Sequence, residues 1–121
     1  MKPFPHVRLS TSADLLLRLR WLAILHGRVR PTLVVTGGVA TPDDGIKALL
    51  AGADAAQMVS AILREGPNYF TVMRKGLERW MDQHEFRRLT ELRGLASLNQ
   101  TVDPAAFERA NYIRTLQSWR A

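Results

Sequence analysis

The amino-acid sequence predicts an α/β fold built on a parallel sheet, on three observations. Two short strand-like runs, Thr32 to Thr36 and Ala55 to Val59, are separated by one well-capped helical segment. A second helical segment precedes them and others follow. The first run is continuously apolar and β-branched between its threonines, as in strands covered on both faces. Alternation of this kind argues for parallel βα units.

The elements follow in order. Ser10, Thr11 and Ser12 offer N-caps, and Thr11 with Asp14 has the spacing of a capping box. A helix is predicted from about Ala13 to Leu25, with Asp14 and Arg18 four residues apart, acid first, and Gly27 closing it. The strand at residues 32–36 ends at Gly37-Gly38. Thr41 as N-cap, Pro42 at the first helical position, Asp43 and Asp44 in the first turn and Gly52 beyond the end frame the next helix. Its core face holds Ile46, Leu49 and Leu50. After the second strand, Ser60 to Arg64 forms a turn of helix stopped at Gly66. Pro67 then opens a helix to about His84, with Tyr69, Met73, Leu77, Trp80 and Met81 on one stripe.

Character changes after residue 85. Arg87 to Leu95 is a short helical candidate, Ala96 to Val102 a polar connector, and Asp103-Pro104 opens a last helix with Phe107, Ala110, Ile113 and Leu116 along one side. The division expected is therefore residues 1–85 and a helical tail, 86–121.

Bulk properties narrow the function classes. The 121 residues are 46% hydrophobic and 23% charged, ordinary for a soluble globular protein. No cysteine is present, which excludes disulfides and cysteine-ligated zinc and fits a cytosolic setting. No apolar run approaches the roughly 20 residues that cross a bilayer, and residues 1–10 lack a signal-peptide core, so no membrane partner is expected. Net charge is +6, but the basic residues are spread, and the pair Arg87-Arg88 is flanked by Glu85 and Glu91. That distribution disfavours a dedicated nucleic-acid surface and favours a positive potential around a phosphate site.

The stretch from Val34 to Ser60 carries the chemistry. A glycine pair closing a parallel strand lets backbone N–H groups approach an anion with no Cβ in the way. One βα unit later, the second strand ends at Ser60, at the mouth of a short helix. In (β/α)8 barrels the loops after strands seven and eight, with a short extra helix, frequently form a phosphate site. The expected fold is accordingly part of a (β/α)8, or TIM, barrel: its last two to three βα units, with a helical C-terminal tail.

Val35-Thr36-Gly37-Gly38-Val39, Pro42-Asp43-Asp44, Leu49-Leu50-Ala51-Gly52-Ala53-Asp54, Gln57-Met58-Val59-Ser60-Ala61-Ile62-Leu63 and Glu65-Gly66-Pro67 resemble the end of class 1 dihydroorotate dehydrogenases. The resemblance runs from about Leu9 to Glu85, and the tail from Asp103 to Tyr112 resembles a branch of dehydrogenase-like proteins. It implies an FMN-dependent oxidoreductase acting on a CH–CH bond in pyrimidine biosynthesis, a homo-oligomer when whole. It also implies that Gly37, Gly38, Val59 and Ser60 contact the FMN phosphate. Val59 stands where the family usually has glycine. The family's Cys or Ser base, substrate-binding asparagines and flavin-contacting lysine belong to earlier strands, so the chain is expected to start near the sixth strand and to be inactive alone. Two alternatives stay open: another phosphate-binding barrel with a sugar phosphate or nucleotide ligand, and a basic helical nucleic-acid module.

Other residues carry structural readings. Ser10, Ser12, Ser97 and Ser118 match no base motif. His6, His26 and His84 are too scattered for a metal site, and the last two sit at helix C-termini, where dipoles favour them. Trp21 and Trp80 fit helix packing, and Trp119 is left open.

Overall fold

A computed structural model describes residues 8–98 continuously, and beyond them Ala105, Ala106, Arg109, Ile113, Arg114 and Gln117, all helical. The readings made for His6, Asp103, Pro104, Phe107, Ala110, Leu116, Ser118 and Trp119 lie outside the described residues.

A 3-10 turn (Ser12–Leu15) leads into α1 (Leu16–Leu25). The order continues with β1 (Val34–Thr36), α2 (Pro42–Ala51), β2 (Ala55–Gln57), α3 (Ser60–Glu65), α4 (Tyr69–Gln83) and α5 (Leu89–Leu92). β1 and β2 pair in parallel, with Val34 opposite Ala55, Val35 opposite Ala56 and Thr36 opposite Gln57. The predicted βαβ unit is therefore present.

Local chemistry explains the best-formed helix. Thr41 Oγ1 accepts from the Asp44 amide at 3.3 Å, and Asp44 Oδ2 accepts from the Thr41 amide at 3.0 Å, so each residue caps the other. Gly52, at φ +122°, ends α2 with its amide on the Ala48 and Leu49 carbonyls. A smaller capping contact opens the chain, where the Thr11 amide donates to Asp14 Oδ2 at 2.8 Å.

α1 and α2 cover one face of the sheet. Leu15, Leu22, Ala23, Val35, Val39, Ala48, Ala51 and Ala53 form the core cluster. α4 crosses α2 so closely that a Cβ on Gly76 would meet Pro42 Cβ at 2.4 Å. The segment after α4 folds back onto α2, since the amides of Gly94 and Ala96 donate to the Leu49 and Leu50 carbonyls at 2.9 and 2.8 Å. Leu92 and Leu98 are fully buried, and Arg93 pairs with Asp54 at 2.9 Å.

Several expectations need correction. Both strands are shorter than expected: β1 begins late, at 34–36 rather than 32–36, and β2 stops early, at 55–57 rather than 55–59. Coverage on both faces is not found: Val35 is buried, whereas Val34, Thr36 and all of β2 are exposed. The first helix begins as a 3-10 turn, and the helix sought at residues 87–95 spans only four residues, Leu89–Leu92. Asp14 and Arg18 do not form the expected side-chain pair. Arg18 donates to the Asp14 backbone carbonyl instead, while the Asp14 carboxylate accepts from the Thr11 amide. Trp21 is 52% exposed, so it is not a packing residue here. Trp80, by contrast, stacks on His84 at 4.1 Å and on Phe86 at 5.6 Å. His84 Nδ1 lies 2.8 Å from the Trp80 carbonyl, at the C-terminal end of α4 as anticipated.

Candidate functional site

β1 runs into Gly37 and Gly38, both in the left-handed region at φ +84° and +88°. The second is forced by packing as well. A Cβ on Gly38 would lie 2.5 Å from the Leu15 amide nitrogen, so the strand end rests directly on the backbone of the N-terminal turn. The loop after it is pinned at Ala40, whose carbonyl accepts from the Tyr69 hydroxyl at 2.7 Å and whose amide donates to Asp44 Oδ2 at 3.1 Å.

Asp44 organises this corner. Its carboxylate is 5% exposed and accepts from the Ser12 hydroxyl at 2.5 Å besides the Ala40 and Thr41 amides. Burial alone would push its pKa up. The Ser12 hydroxyl, the two amides and the Thr41 hydroxyl outweigh burial and hold the carboxyl below its ordinary range. The acid anticipated only as first-turn helix charge thus also ties the N-terminal turn to α2.

The ends of β1 and β2 open onto one hollow of about 200 Å³, and Gly37, Gly38, Val59 and Ser60 all line it. Ser10 lies between them. Its Oγ accepts from the Gly38 amide at 3.3 Å and donates to Ser60 Oγ at 3.0 Å, while its amide also donates to Ser60 Oγ at 3.1 Å. One hydroxyl therefore links the two strand ends. Val59 adopts φ −120°, so no positive φ is demanded there and a β-branched residue is accommodated without backbone strain. Its side chain stands 66% exposed at the rim.

Ser10 was missed as a site residue, having been expected only as a helix cap. Its partners lie 28 and 50 residues away, beyond any local pattern. A larger hollow of about 350 Å³ between α1 and α2 is walled mostly by Leu16, Leu19, Ala23, Leu50 and Ala51. Its walls are mainly aliphatic, whereas the smaller hollow joins two strand ends and is lined by serine, threonine, glutamine and glycine, so the smaller one is the better anion candidate. Among the described residues no group of three or more His, Asp or Glu is placed to hold a metal ion, and no helix is long and apolar enough to cross a membrane.

No family model matches the chain. Individual relatives do. Over 72 residues it is 40% identical to the dihydroorotate dehydrogenase (quinone) of Streptomyces coelicolor, covering 58% of this chain and 20% of that relative. Over 78 residues it is 30% identical to the catalytic subunit of dihydroorotate dehydrogenase B (NAD(+)) of Pyrococcus furiosus, covering 64% and 26%. The chain is dihydroorotate dehydrogenase-like. The dihydroorotate dehydrogenase A (fumarate) of Lactococcus lactis matches over 71 residues at 33% identity, 57% of this chain and 23% of the relative. Among solved structures, the dihydroorotate dehydrogenase of Eimeria tenella, in complex with ferulenol, shares the fold at a TM-score of 0.65. It is 18% identical and covers 71% of this chain and 23% of that one. This dihydroorotate dehydrogenase-like chain thus spans between 20% and 26% of the length of these relatives.

Proposed function

We propose that the chain is the C-terminal part of an FMN-dependent (β/α)8 dehydrogenase acting on the CH–CH bond of a dihydropyrimidine, in pyrimidine biosynthesis. In this reading residues 1–85 are the last two to three βα units of the barrel and 86–121 a helical extension. The segment's own task is to hold the FMN phosphate through Gly37, Gly38, Val59 and Ser60. The observation that carries the reading is the Ser10 hydroxyl, placed between the Gly38 amide and the Ser60 hydroxyl. It brings the Gly38 amide and the Ser60 hydroxyl, from two neighbouring parallel strand ends, to one small polar hollow.

The residues fit a phosphoryl group. About 200 Å³ is less than the roughly 300–1,000 Å³ that whole cofactors usually occupy, so the hollow takes the phosphate end and leaves the rest of the nucleotide to other parts of the protein. The Gly38 amide and the Ser10 and Ser60 hydroxyls are the groups that would hold the phosphoryl oxygens there. FMN, once held, would supply the hydride-accepting ring. This chain's residues anchor and orient, and none of them is assigned a proton-transfer role.

The relatives' names support the chemistry, and the parallel βαβ unit supports the barrel. Soluble, cytosolic location and homo-oligomerisation of the whole enzyme belong to the same proposal. The test is a titration of the 121-residue chain with FMN, followed by flavin fluorescence, with riboflavin as comparison. Saturable binding of FMN and not of riboflavin is expected. Binding of a sugar phosphate with no response to FMN would transfer the site to another class of phosphate-binding barrel.

A further inference from the structure

Among the described residues the hollow is uncharged: Ser10, Thr36, Gln57 and Ser60 are its polar walls, and none of the described carboxylates, lysines or arginines lines it. A phosphate monoester carries between about −1.5 and −2 at pH 7, and backbone amides and hydroxyls offer only partial charges against it. Two arginines stand just outside. The Arg18 guanidinium lies against Gly37, so close that a Cβ there would come within 2.9 Å of Nη2 and 3.0 Å of Cζ and Nε. On the Ser10 side, Arg64 Nη1 donates to the Ser10 carbonyl at 2.8 Å.

Neither arginine is neutralised. Among the described residues, the ion pairs join Arg74 to Glu78 and Arg93 to Asp54. Arg18 has spent one donor on the Asp14 carbonyl and Arg64 one on Ser10, which leaves most of the five N–H groups of each guanidinium available. Each is tethered by a backbone carbonyl next to the residues that link the strand ends. The two cations thus flank one polar hollow, and neither has an ion-pair partner among the described residues.

We propose that Arg18 and Arg64 form a cationic clamp that makes this hollow selective for a phosphate monoester dianion. The proposal deepens the phosphate-anchoring reading above and rests on it. The amides and hydroxyls set the position of the phosphoryl oxygens, and the guanidinium forks supply the full charges. Because both side chains are exposed, their contribution falls with ionic strength.

The test measures binding of inorganic phosphate by calorimetry, and of FMN and riboflavin by fluorescence, to the 121-residue chain and to Arg18→Gln, Arg64→Gln, the double variant, and Arg18→Lys with Arg64→Lys. Expected are losses of about tenfold in phosphate and FMN affinity for each glutamine change. The double variant should lose more, and the lysine pair should stay closer to the parent. If the parent binds neither phosphate nor FMN, the phosphate reading falls and this inference with it. If the parent binds and the glutamine variants stay within twofold, the clamp alone is overturned.

Discussion

Ser12 Oγ donates to Asp44 Oδ2 at 2.5 Å, joining the N-terminal turn to the first turn of α2 across 32 residues of sequence. The same oxygen takes the amides of Ala40 and Thr41, so a single buried carboxylate holds the loop after β1, the start of α2 and the segment that carries Ser10. Its charge therefore contributes to stability. Unfolded, the group titrates near its free value of about 3.9; folded, it titrates lower. The contribution is thus fully present above about pH 4 and disappears as pH falls through the folded value. Asp44→Ala is expected to cost about 1–3 kcal/mol at pH 7, measured by urea unfolding, with the gap to the parent closing below about pH 4. A gap of equal size at pH 7 and pH 3 would show that the charge plays no part.

Gly38 and Gly66 separate conformational strain from close approach. Both have positive φ, +88° and +86°. A Cβ on Gly38 would strike the Leu15 amide nitrogen at 2.5 Å, whereas one on Gly66 has nothing within 4 Å. Gly66, at φ +86° and ψ 172°, lies in an extended region that only glycine adopts readily, so Gly66→Ala should cost about 1–3 kcal/mol from backbone strain alone. Gly38→Ala should cost more than Gly66→Ala, because the backbone of the N-terminal turn must also move. Equal losses in thermal or urea unfolding would mean that the strand end does not rest on the N-terminal turn.

What the amino-acid sequence made legible depended on distance along the chain. α2 was readable because Thr41, Pro42, Asp44 and Gly52 act within one or two turns of one another. The glycine pair was readable because a Gly-Gly step after a β-branched run has few other uses. Strand length was not, since it is set by pairing: β1 ends at Thr36 as read but begins only at Val34, opposite the first residue of β2, and β2 stops at Gln57, opposite the last residue of β1. Coverage of both sheet faces was over-read from composition. Val34 is apolar, yet it stays 45% exposed. The Asp14–Arg18 ion pair did not form because i,i+4 spacing does not say which atom of Asp14 the guanidinium meets, and here it meets the backbone carbonyl. Ser10 left no local trace, as its partners are distant in sequence.

Exposed apolar surface sets the behaviour of the isolated chain. Leu16, Leu17 and Leu63 are 71%, 61% and 68% exposed, and the two-stranded sheet ends in unpaired edges. Surfaces and edges of this kind seek partners. The 121-residue chain is therefore expected to bind an apolar dye and to elute from size-exclusion columns at apparent masses that rise with concentration. Leu16→Glu with Leu17→Glu should reduce both effects. A monomer with a cooperative melt and no dye response would show that the chain covers these faces by itself.

The Ser10–Ser60 hydrogen bond gives the sharpest check on the candidate site. Ser60 Oγ receives both the Ser10 hydroxyl at 3.0 Å and the Ser10 amide at 3.1 Å, so Ser60→Ala removes two contacts and Ser10→Ala removes one of these together with the Gly38 contact. Because the two side chains share a bond, the losses should not add. A double-mutant cycle in urea should give a coupling of about 0.5–1.5 kcal/mol. The same variants report on ligand binding. If the hollow receives a phosphoryl group, saturating inorganic phosphate raises the parent's unfolding midpoint by mass action and raises that of Ser60→Ala much less. Additive losses within about 0.3 kcal/mol, together with equal phosphate responses, would mean that the strand ends are not linked through Ser10 and that Ser60 does not serve an anion.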